Sequence, residues 1–170
     1  MNHRHLSELL DYHYWAQERV FDACASLTPE QFTRDLGSSF KSVRDTLSHL
    51  YSADRGWYQV WQSGSLTAMP TSDQRSDFDV IRREWSEHET KVRAFLNSLS
   101  DADVNRVIEF RTPNGATMGY AIGQMVQHLV NHGSYHRGQL TTMFRLLGAE
   151  PASSMDLIRY YREQSAGTRE

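Results

Sequence analysis

Apolar positions recur at helical spacing along four long segments of the chain. The first spans roughly residues 3–26, where Leu6, Leu10, Val20, Cys24 and Leu27 fall at steps of three and four or their sums. His13 and Gln17 occupy the two places which that stripe leaves open, and Thr28-Pro29 ends it, because proline disfavours a helical residue before itself. A second stripe, over about 41–62, reads Val43, Leu47, Leu50, Asp54, Trp57, Trp61; serines in SSFKS open it and Gly64 closes it. A third, over about 77–99, turns Phe78, Ile81, Trp85, Val92, Phe95 and Leu99 inward. The fourth, over about 120–147, is the most regular: Ile122, Met125, Leu129, His132, His136, Leu140, Met143, Leu147, stopped by Gly148.

The segments between them read differently. Residues 63–76 are rich in Ser, Thr and Pro and predict a long connection. VIEFRTPNGATMGY has two short runs around Pro113-Asn114-Gly115, a hairpin pattern. A short helix near 154–163 is expected to pack on the outside. The expected architecture is all-α: one domain over 1–170, a four-helix bundle with a long connection between helices two and three. A short β-hairpin precedes helix four, and a short helix ends the chain.

Composition narrows the class. At 39% apolar and 23% charged residues, the 170-residue chain can bury a core and is not disordered. Its 21 acids against 18 bases leave a net charge of −3, without the basic excess expected of a nucleic-acid binder. The single Cys24 cannot form an internal disulfide, and its helical spacing makes it a small core residue. The first residues, MNHRHLSELLDYHYWAQ, lack the apolar centre of a secretory signal, and no stretch reaches membrane-span length. A cytoplasmic protein with no membrane partner is expected.

Eight histidines are the compositional oddity. His128, His132 and His136 follow one another at i, i+4, a spacing that lets two imidazoles about 6 Å apart along the axis chelate one ion. His128 and His136 are about 12 Å apart by the same rise, too far for ligand bonds near 2 Å. His132 and His136 lie on the buried stripe, whereas His128 is turned about 40° from His132, so His132 and His136 form the candidate pair. A third ligand is needed for a catalytic site. His49, beside Leu50 at the edge of the second stripe, and His13, within the first, both qualify, while His3, His5 and His88 fall in termini or solvated faces.

VNHGSYHRGQL, Val130 to Leu140, resembles the helix-four motif of the DinB-like family of helical-bundle metalloproteins. SFKSVRDTLSHLYSADRGWYQVW resembles the helix-two segment that carries the family's first histidine; YHYWAQ and LGSS match more weakly, and the likeness runs in order along nearly the whole chain. The resemblance implies a four-helix bundle, often a homodimer, with a divalent metal such as zinc or nickel on His49, His132 and His136. It further implies a transferase acting on a small molecule with a low-molecular-weight thiol of the bacillithiol or mycothiol type. His13 and Gln17 depart from positions that are commonly asparagine, which implies a differently lined pocket.

Other polar residues on these faces are candidates for the surroundings of the metal. Asp54 is expected to orient a ligand histidine or to pair with Arg137; Asn131 and Gln139 flank the ligands; Trp57 and Tyr135 are candidates for a pocket wall. Gly133 and Gly138, costly inside a helix, suggest close helix approach or access to the metal. A divalent ion on three neutral imidazoles activates a bound thiol or water. The chemistry is therefore thiol transfer or, alternatively, metal-assisted hydrolysis, with a non-catalytic metal-binding or dimerisation module as the third reading. Metal binding is expected to weaken below about pH 6.5 as imidazoles protonate.

Overall fold

Each of the four stripes becomes a long helix. In the computed structural model, which describes residues 1–66 and 77–167, these are α1 (His3–Cys24), α3 (Val43–Ser63), α4 (Phe78–Asn97) and α6 (Ile122–Leu146). Between and after them come α2 (Pro29–Thr33), α5 (Asp101–Val104), the strands β1 (Val107–Arg111) and β2 (Thr117–Ala121), and α7 (Leu157–Gly167). The long helices form a ring in which α6 packs on α1 and α3, and α4 closes against the same two. Buried stripe residues from all four, among them Leu6, Leu47, Ile81 and Leu129, fill the middle. The all-α bundle with its hairpin and terminal helix is as the sequence predicts.

Local chemistry sets the boundaries. The Ser42 hydroxyl accepts the Asp45 amide at 3.1 Å, fixing where α3 begins and hence the azimuth at which His49 leaves it. Gly64, at φ 62°, ends α3 in the left-handed region that glycine alone adopts without strain. α2 and α5 are one-turn helices that periodicity does not reveal, each opened by a capping box: Thr28 with Gln31, Ser100 with Asp103. β1 and β2 pair antiparallel, Phe110 opposite Met118, around the expected turn. β2 runs directly into α6, so the hairpin is fixed to the helix that carries two of the candidate ligands. The expected connection over 63–76 falls largely on 67–76, outside the described residues.

The two α6 glycines have different surroundings. A Cβ on Gly133 would stand 2.8 Å from Arg137 Nη1 and 2.8 Å from the His13 ring, so α1 approaches the α6 backbone closely here. At Gly138 nothing lies within 4 Å, so close helix approach does not account for it. Gly133→Ala is expected to destabilise by about 1–3 kcal/mol through overpacking. Gly138→Ala is expected to stabilise by up to about 1 kcal/mol through helix propensity. Urea unfolding of the two variants checks the opposite signs.

Candidate metal centre

α6 presents His132 and His136 one turn apart, and α3 brings His49 across to meet them. His49 Nε2 lies 3.0 Å from His132 Nε2, and His136 Nε2 lies 3.1 Å from the same atom. All three donor atoms fall within 4.8 Å of one another. Two nitrogens sharing a tetrahedral ion at bonds near 2.0–2.1 Å stand about 3.3 Å apart, so the spacing suits a single ion. A ring-to-ring hydrogen bond can account for one of the two contacts, but not for both. The Gln139 carboxamide oxygen is 2.7 Å from His136 Nδ1, which places the ring proton there and leaves Nε2 as a lone pair. A neutral His132 has at most one Nε2 proton to share between two nitrogen neighbours. A cation at the common point satisfies all three.

Electrostatics favours the neutral, ligating form. Burial, reinforced by the charge of His136, pushes His49 and His132 down to about 4. Both stay unprotonated well below the usual imidazole range, so the fall in metal binding expected below pH 6.5 is displaced to lower pH for these two. His136 is buried, and the other two are half-buried, which leaves the cluster open on one side.

Around the three rings the structure sorts the remaining candidates. Phe40, from the loop before α3, stacks on His49 with centroids 4.0 Å apart and meets His136 edge-on. Trp57 is half-buried and touches His128 edge-on; His128 is exposed, its ring 5.6 Å from His132. The exposed Tyr135 meets the His136 ring edge-on at 5.0 Å, and Asn131 is exposed. His49, Ser52, Ala53, Gly56, Trp57 and Leu66 line a cavity of about 290 Å³.

Three expectations are corrected. His13 and Gln17 are not among the described lining residues of the cavities beside the ligands: both are buried, and none of their side-chain nitrogens or oxygens has a hydrogen-bond partner among the described residues. Burial first, then the charge of Arg137, pushes His13 down to about 3. Asp54 neither orients a ligand histidine nor pairs with Arg137. It accepts hydrogen bonds from Trp85 Nε1 at 3.0 Å, Tyr14 at 3.2 Å and His88 Nε2 at 3.2 Å. Burial opposes its ionisation, but the His88 hydrogen bond and the nearby His13 outweigh that and hold its carboxyl below the usual range. Arg137, also buried, donates to Ser134 Oγ at 3.2 Å instead. His88 is thus a core residue rather than part of a solvated face.

Residues 1–169 match the model of the DinB family. The chain belongs to the DinB family. Protein DinB of Bacillus subtilis (strain 168) is 29% identical over 147 residues, covering 83% of this chain and 85% of that protein. The uncharacterized protein YizA of the same organism is 20% identical over 149 residues, covering 88% and 92%. A crystal structure of a DinB-like protein from Bacillus cereus ATCC 10987 superposes with a TM-score of 0.60 at 19% identity, over 86% of this chain and 95% of that one. In this DinB family chain, VNHGSYHRGQL supplies His132, His136 and Gln139, while SFKSVRDTLSHL supplies Phe40, the Ser42 cap and His49. These are the two segments whose sequence resembles the family's helix-four and helix-two motifs, and the cluster they build is compatible with metal binding.

Proposed function

We propose that the chain is a metal-dependent enzyme that joins a low-molecular-weight thiol, of the bacillithiol or mycothiol type, to a small electrophile. The observation that carries this reading is the convergence of three imidazole Nε2 atoms on one point beside an open cavity. His49, His132 and His136 would hold zinc or nickel, leaving positions free for other ligands. A divalent ion on three neutral donors lowers the pKa of a coordinated thiol or water towards neutrality. Gln139 holds the His136 ring by its Nδ1–H, and Phe40 shields His49 and His136 from water on one side. No carboxylate is among the cavity's described lining residues to serve as a general base. A coordinated thiol needs none once its proton is gone. A metal-bound hydroxide would need none either, so the preference for thiol transfer over hydrolysis rests on the family resemblance. The same reading has the chain acting in the cytoplasm as a homodimer.

The test combines zinc- or nickel-loaded chain with bacillithiol or mycothiol and an aryl chloride. The thiol sulfur bonds to the ring carbon, chloride leaves, and the thiol proton passes to solvent. Turnover is expected to need both metal and thiol and to vanish in His132→Ala. Cleavage of an ester panel without any thiol would favour the hydrolase instead. Absence of turnover with either class would reduce the chain to a metal-binding module.

A further inference from the structure

Trp57 borders two cavities at once. With His49 the indole lines the 290 Å³ space, and it also lines a second space of about 470 Å³ with Met118, Tyr120, Gln124, Met125 and His128. The two share the indole as a wall: the first also borders His49 of the cluster, and the second borders His128, whose ring is 5.6 Å from that of His132. Small residues on α3 open the groove. Ser52, Ala53 and Gly56 present little or no side chain between His49 and Trp57, although a helix-interior glycine costs about 1 kcal/mol relative to alanine.

Beyond Trp57 the lining stays apolar and in part uncovered. Met118 and Tyr120 on β2 are 41% and 40% exposed, and Phe110 backs the indole from β1 with centroids 5.8 Å apart. Among the described lining residues of the two cavities there is no Asp, Glu, Lys or Arg. A surface of this kind repays burial of hydrocarbon and offers nothing to an ionic group.

We infer that this cleft, running from the three histidines over Trp57 to the hairpin, holds the apolar tail of the substrate. The substrate class is a small molecule with a polar, metal-seeking end and an unbranched alkyl or single-aryl tail. Cavities of about 290 and 470 Å³, at the lower end of the usual ligand range, suit a short tail. The inference rests on the metal reading above, and its test separates the two.

Zinc-loaded full-length chain is titrated calorimetrically with acetohydroxamate, butanohydroxamate and octanohydroxamate, which share a metal-chelating head and differ only in tail. A fully enclosed methylene is worth about fourfold in affinity, so half-enclosure of six gives on the order of a hundredfold between the shortest and longest. That ratio is expected to fall below tenfold in Trp57→Ala. Because the indole also packs on the hairpin, Met118→Ser with Tyr120→Ser, both exposed, provides a second variant. It should weaken octanohydroxamate while leaving the butano-to-aceto ratio as it was. Equal affinities across the series, or a gain that survives Trp57→Ala, overturns the cleft while leaving the metal reading intact. Failure of acetohydroxamate itself to bind overturns the metal reading and this inference together.

Discussion

Alanine at His132 is expected to lower the affinity for zinc by about two to three orders of magnitude. This residue is the centre of the cluster: its Nε2 lies 3.0 Å from that of His49 and 3.1 Å from that of His136. Apparent zinc affinities of about 10–16 kcal/mol are spread over four ligands, so one ligand is worth about 3–4 kcal/mol, which is the size of the expected loss. Gln139→Ala removes only the acceptor that orients His136 and is expected to cost about 10–100-fold. Chelator competition on untagged protein measures both. The pH dependence follows from the same rings. His49 and His132, pushed down to about 4, take up no proton between pH 7 and 5, so neither competes with the metal there. Their competition begins as the pH falls through about 4, and the affinity then drops steeply. Stoichiometric zinc in purified His132→Ala at wild-type affinity would remove the site.

Periodicity makes the bundle and the His132–His136 pair legible, because both follow from which residues share a helical face. It does not choose between His13 and His49. A stripe says that a side chain faces inward, not which neighbouring helix it meets, and both histidines face in. In the bundle His13 packs against the Gly133 backbone, behind the ligands, while His49 reaches the cluster from α3. His88 carried a usable signal. It lies three residues after Trp85 and four before Val92, on the buried stripe of α4, but the flanking Glu87 and Glu89 make the segment look solvated. Phe40 had none, since it stands in a loop where spacing is uninformative. Trp57 is readable as a pocket wall, but that Met118 and Tyr120 join it in lining a cavity is not, because that depends on where the hairpin folds back.

Asp54→Ala is expected to be the most destabilising single change in the core, at about 3–5 kcal/mol. The carboxylate is fully buried and accepts from Tyr14, Trp85 and His88, with His13 Nε2 at 3.8 Å. It joins α1, α3 and α4 at one point, so its loss orphans donors on two of the three helices. Each buried donor left without an acceptor costs about 1–3 kcal/mol, and breaking a buried charged network falls in the range given. For a chain of this length that corresponds to a drop in Tm of about 10–15 °C, read by thermal unfolding. Asp54→Asn keeps the volume and one acceptor oxygen but turns an amide donor towards other donors, and recovers only part of the loss. Zinc affinity distinguishes this structural role from a hand in the metal site. None of the Asp54 partners belongs to the His49–His132–His136 cluster, so Asp54→Asn should bind zinc within about threefold of wild type. A loss of the 10–100-fold expected for a residue that orients a ligand would instead tie Asp54 to the metal.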